Sequence, residues 1–328
     1  MNTMKWLIKR EFWEHKGGLF WAPMIVGALL STLITVTVIV LMVNGDNTRL
    51  TINGETQTGN TVAAKLAQHM SPERQDAAIA SVAQGYMGFS GPLVAVLAFV
   101  LFFFCLNALF DERKDRSVLF WKSLPVSDAE TVISKVVTAV VAAPLIALAF
   151  AFASALMSVL VVTTAASMFG VGSLLSLLGS PAFYYSPLLV LAMLPVFAIW
   201  ALPTVGWLML VGAWAKTKPF LWAVGAPLLV GGLIAWINRM FTLGWDMSWF
   251  WKHVVGRALL SIVPGSWFGM NRISDSHGLV AGARNVNVGE MLSQSWQQFG
   301  SINIWIGALL GCAMIYAAIR VRRWRDDG

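Results

Sequence analysis

The chain has 328 residues, 57% of them hydrophobic and 12% charged, with a formal net charge of +7. Soluble domains carry about 25% charge, and a soluble fold of this length has too little polar surface to cover so much hydrocarbon. Composition therefore excludes an ordinary soluble domain. Two cysteines with no CxxC or Cys/His cluster exclude a disulfide framework and a zinc site, and Cys105 and Cys312 read as small buried apolar residues.

Residues 1–18, "MNTMKWLIKREFWEHKGG", predict a helix lying on the membrane surface. Met4, Leu7, Ile8 and Phe12 share one side at helical spacing, with Glu11 intruding on it. The stretch does not read as a cleavable signal. The apolar run Leu19–Val43 is longer than a signal core, and "LMVNGDN" has no small-residue cleavage site.

Six segments are apolar enough to cross a bilayer, near 19–43, 91–110, 136–162, 186–214, 220–241 and 301–319. The second, "GPLVAVLAFVLFFFCLNALF", holds five Leu, three Val and five Phe. At roughly 0.3–0.6 kcal/mol each, they favour insertion by about 4–8 kcal/mol, more than Asn107 can offset. Pro187, Pro195 and Pro203 in the fourth segment and Pro227 in the fifth predict kinks.

Charge orients the spans. Residues 1–18, 111–135, 215–219 and 320–328 hold fifteen of the 23 Lys and Arg residues in short stretches, and the opposite connections hold seven in much longer ones. The dense side reads as cytoplasmic, which puts both termini inside. Topology then accounts for the basic balance without invoking nucleic acid. On the other side, 44–90 contains the hairpin signal Asn53-Gly54 and a helix starting at Ser71-Pro72. The region 242–300 is aromatic and apolar but broken by Lys252, His253 and Arg257. It predicts a helical segment in the interface or partly re-entering, not a seventh span. The fold class is thus an all-α polytopic membrane protein, with a surface helix at 1–18 and a six-span domain at 19–328.

Catalytic motifs are missing. There is no phosphate-binding G-x-x-x-x-G-K-[ST], no G-x-S-x-G and no H-E-x-x-H. The span centres carry Ser, Thr and Asn rather than acids or bases, so a coupled secondary transporter would have little to work with. Gly307 and Gly311 form a GxxxG pattern that permits close helix approach.

The cytoplasmic segment "DERKDRSVLFWKSLPVSD" (111–128) stands out. Six charges precede Val118-Leu119-Phe120-Trp121, an apolar knob rimmed by Arg116 and Lys122, and such knobs mark partner sites. After Leu124-Pro125, Ser127 and Glu130 form a capping box at the start of span three. Glu112-Arg113, Leu124-Pro125-Val126-Ser127 and Lys135, with the six-span layout, resemble the membrane subunit of ABC-2 type ABC transporters. The chain departs from many members in having Arg116-Ser117 where they have Gly-Thr, and in a longer 44–90 region.

The resemblance implies an exporter half, paired with a second copy or a homologous permease in a bacterial inner membrane. ATP and Mg would bind a separate ATPase subunit, and this chain would hold no cofactor and catalyse no reaction. The segment 111–126 would be the coupling contact, with Phe120, Trp121, Leu124 and Pro125 as its apolar part and Arg113 and Arg116 as its rim. A non-transporting scaffold or sensor subunit, or a secondary transporter, remains an alternative. The substrate is not legible.

Overall fold

The computed structural model describes residues 3–45, 47, 49–52, 55–69, 71–115, 126–169, 174–272 and 288–324. Six helices are long and apolar enough to cross a membrane: Gly17–Gly45, Glu73–Lys114, Asp128–Met168, Pro181–Trp214, Pro219–Met240 and Ile302–Trp324. They are called spans one to six. An N-terminal helix, α1 (Thr3–Glu14), precedes them. Spans two and three run past their apolar stretches into charged ends, at Glu73 and Lys114 and at Asp128.

Local chemistry sets the helix ends. Prolines stand in the first turns at Pro181, Pro195 and Pro219, where no backbone N–H is needed. Span four is not one rod. It stops at Leu191 and restarts at Leu194, just ahead of Pro195, whereas Pro203 and Pro227 lie within continuous helices. In span one the hydroxyls of Ser31, Thr32, Thr35 and Thr37 donate to carbonyls four residues back at 2.7–2.9 Å. These bonds let polar residues sit in hydrocarbon. Ser71 precedes the helix Pro72–Gly85, but its side chain makes no capping bond.

The 44–90 region carries a small antiparallel hairpin, β1 (Arg49–Ile52) with β2 (Glu55–Thr58). Ile52 pairs with Glu55, which leaves a two-residue connection at 53–54, outside the described residues.

Span four is the centre of the bundle. Its Val196, Trp200, Val205, Leu208 and Met209 are buried among Leu101 and Phe104 of span two, Val132 of span three and Ile304 of span six. Spans four and six cross at backbone contact. A Cβ on Gly206 would stand 2.5 Å from the Gly311 carbonyl oxygen, and one on Gly311 2.5 Å from the Leu202 carbonyl carbon. Spans one and five, by contrast, turn most of their surface outward. Cys105 is buried in this core and Cys312 is exposed, which corrects the expectation that both are buried; both are free thiols.

The segment before span six is helical and re-enters the bundle. Residues 247–260 run on through a π-helical stretch, Trp251–Gly256. Trp251 packs on Gly231, midway along span five, and the Arg257 carbonyl accepts from Thr204 of span four at 2.8 Å.

Candidate functional site

Several of the charges on which the expected orientation rests also build a buried cluster at one end of the bundle. Lys135, two helical turns into span three, is 1% exposed. Its Nζ donates to both Glu11 carboxylate oxygens, at 2.9 and 2.8 Å, and lies 2.9 Å from Glu112 Oε1. Glu11, on α1, is fully buried. Glu112 closes the end of span two, and its Oε2 sits 2.8 Å from Arg322 Nη1 at the end of span six. Arg322 Nε also donates to Asp128 Oδ1 at 3.2 Å, in the first turn of span three. Arg10 Nη2 lies 3.4 Å from Glu112 Oε1 and bonds Glu11 as well. Three carboxylates (Glu11, Glu112, Asp128) thus face three cations (Arg10, Lys135, Arg322), and α1 is tied to spans two, three and six.

Such a cluster persists because every charge has opposite partners; buried ions without them cost several kcal/mol each. Burial pushes the Glu11 carboxyl up. The Lys135 ammonium and then the Arg10 guanidinium, by charge and hydrogen bond, reverse the sign and hold it below its ordinary 4.5. α1 is the N-terminal helix of low burial expected from the sequence, and it is fastened by charge as well as by its apolar side. Its most buried residues are Leu7 and Glu11, and the intruding acid is its anchor. Trp6 and Trp13 point outward with Lys9 and Lys16 near their rings.

The same cluster brackets the segment 111–128. Arg113, beside Glu112, donates to the carbonyls of Ala213 at 2.6 Å, Gly212 at 3.4 Å and Ala215. These carbonyls end span four, where a helix leaves acceptors unsatisfied and a cation is favoured. On the other flank the Ser127 hydroxyl accepts from the Glu130 N–H at 3.2 Å, and the Ser127 N–H donates to Glu130 Oε2 at 2.9 Å. Arg116, Phe120, Trp121, Leu124 and Pro125 lie outside the described residues. Both flanking helix ends are clamped, one to spans three, four and six and the other to span six.

Gly307 and Gly311 line the face of span six toward span four. Gly307 leaves room for Arg257: a Cβ there would stand 2.1 Å from Arg257 Nη2. Arg257 is a second buried charge, on the re-entrant segment and far from the cluster. Its guanidinium lies 3.9 Å from the Trp200 ring centroid, and Nη1 is 3.4 Å from the Asn303 carbonyl oxygen. Among the described residues no carboxylate pairs with it.

Sequence reasoning singled out Glu112 and Lys135 only as parts of a motif, and missed Glu11, Arg10, Asp128, Arg322 and Arg257. The one local signal was Glu11, an acid on an otherwise apolar helix side. No family model matches the chain, and neither a curated protein nor a solved structure is significantly similar to it.

Proposed function

We propose that the chain is the membrane-spanning half of an ATP-driven ABC-2 type exporter, coupled to a separate ATPase through residues 111–126. It is a multi-pass helical membrane protein whose layout is consistent with a transport subunit. The observation that carries the finer reading is the clamp. Glu112 and Lys135, 23 positions apart in sequence, meet at 2.9 Å, and Arg113 grips the end of span four. A push on the knob between these anchors would reach spans two, three, four and six and α1 together. A merely solvated loop would need no such coupling.

In this reading the charged end faces the cytoplasm, as the Lys and Arg bias implies. Phe120, Trp121, Leu124 and Pro125 meet the ATPase, with Arg116 at the rim, while Arg113 holds the knob's base to span four. ATP and Mg act on the partner, and two membrane subunits enclose the path.

Phe120→Ala with Trp121→Ala tests this. Membrane insertion is expected to be unchanged, while co-purification of a Walker-motif ATPase and its stimulated ATP hydrolysis are lost. Survival of both properties would overturn the assignment.

A further inference from the structure

Midway along the bundle, away from the charge cluster, lies a cavity of about 310 Å³. It is walled by the middle of span two (Gly88–Leu97), the middle of span three (Pro144–Ala151), the restart of span four (Met193–Phe197) and the segment before span six (Pro264–Phe268). Ala147 stands about 18 Å along span three from Lys135, at 1.5 Å per residue, so the cavity lies at membrane depth.

We infer that this cavity holds one hydrocarbon tail of a bilayer phospholipid. The chemistry of its wall decides the class. Its polar side-chain groups are already committed elsewhere. The Ser90 hydroxyl donates to the Met87 carbonyl at 2.6 Å, and the Trp267 indole N–H donates to the Ser295 hydroxyl at 3.0 Å. Trp200, packed edge-on behind Trp267, likewise sends its N–H to Ser266 at 2.9 Å. What remains facing inward is Leu93, Ala147, Ala151, Met193, Phe197 and the Trp267 ring. Ordered water needs two to four polar partners, and the side chains of the wall offer at most the Ser90 hydroxyl oxygen as an acceptor; a headgroup would lose its own hydrogen bonds there.

Size and access fit a tail. The volume is at the lower end of ligand pockets, about 300–1,000 Å³, enough for part of a flexible chain but not for a whole lipid. Each methylene removed from water contributes about 0.8 kcal/mol; a tail coming from the bilayer gains less, chiefly dispersion contacts with the wall. Gly85, Gly88 and Gly91 leave the rim open, since a Cβ added at any of them meets nothing within 4 Å. Gly88 and Gly91 are exposed, so the rim reaches the bundle surface. This inference concerns the chain alone and does not depend on its coupling to an ATPase.

The test uses the full chain in phosphatidylcholine nanodiscs doped with a phospholipid carrying a diazirine in its acyl tail. After irradiation, adducts are mapped by peptide mass spectrometry. Adducts are expected on peptides holding Met87–Leu97 and Met193–Phe197, and also on lipid-facing Leu29 and Leu33 of span one. Gly88→Phe with Gly91→Phe closes the rim, where there is space for the rings, and Ala151→Leu fills the interior. Either change is expected to cut cavity adducts at least fivefold and leave those on span one unchanged. Equal labelling in parent and both variants would overturn the inference. So would cavity adducts of equal yield from a lipid whose diazirine is in the headgroup.

Discussion

Lys135→Met removes one ammonium and keeps an unbranched stem of similar length. In the parent that ammonium is 1% exposed and lies within 2.9 Å of three carboxylate oxygens, two on Glu11 and one on Glu112. Water cannot take its place without opening α1. The cluster falls to three carboxylates against two cations, and Glu11 keeps only Arg10. Removing one partner of a buried pair costs about 3–5 kcal/mol. At roughly 2 °C per kcal/mol for a large chain, the melting temperature falls by about 6–10 °C. The assay is tryptophan fluorescence during heating in nanodiscs. A parallel readout is maleimide labelling of Leu7→Cys, buried at 6% exposure, in a Cys312→Ser background. Labelling is expected to rise as α1 detaches. Adding Glu11→Leu restores balance, with Glu112 and Asp128 against Arg10 and Arg322, and is expected to recover more than half of the loss. A single variant with parental melting and a protected Leu7→Cys would refute the reasoning, as would a double variant less stable than the single.

Acid is expected to release α1 only under extreme conditions. The folded value of Glu11 lies below its ordinary 4.5, so its contribution is fully present above pH 4.5 and lost as pH falls through the lower folded value. Hydrogen exchange of Thr3–Glu14 should therefore be flat from pH 7 to 4.5 after correction for the intrinsic rate and rise below it. Glu11→Gln should abolish the acid step, and loosening on alkalinisation would contradict the sign. Gly311→Val inserts atoms where a Cβ already stands 2.5 Å from span-four backbone; a loss of at least about 1–3 kcal/mol is expected, seen as a lower melting temperature. Arg257→Met should behave unlike Lys135→Met. It removes a charge with no described counter-ion and a single long hydrogen bond of 3.4 Å, offset by about 2 kcal/mol of cation–π attraction. A melting temperature within about 3 °C of the parent is expected, and a fall as large as that of Lys135→Met would show a missed partner.

Both buried charge sites came from residues that carry more than one reading. Lys135 and Arg322 entered the sequence reading only as part of an orientation bias, which is insensitive to whether a charge is solvated or buried. Glu11 read as a flaw in an amphipathic face. Its partner lies 124 positions away, and nothing local to either residue encodes that distance. The capping box at Ser127 was legible because its bonds close within three residues. Asn53-Gly54 was legible for the same reason, through the register of the strands on either side.

By itself the sequence determined the six spans, the N-terminal helix ahead of them, the small hairpin and the helical stretch before the last span. These follow from local composition and from hydrogen bonds between near neighbours, which hydrocarbon makes obligatory. Tertiary structure alone decided that α1 is pinned by an ion pair, that the fourth span is the core, that a re-entrant arginine rests on Trp200, and that an apolar cavity opens beside the glycines of span two. Each depends on which helices meet and how closely. In a bilayer, where lipid and protein interior are equally apolar, that choice is set by packing and buried polar contacts, which composition does not specify.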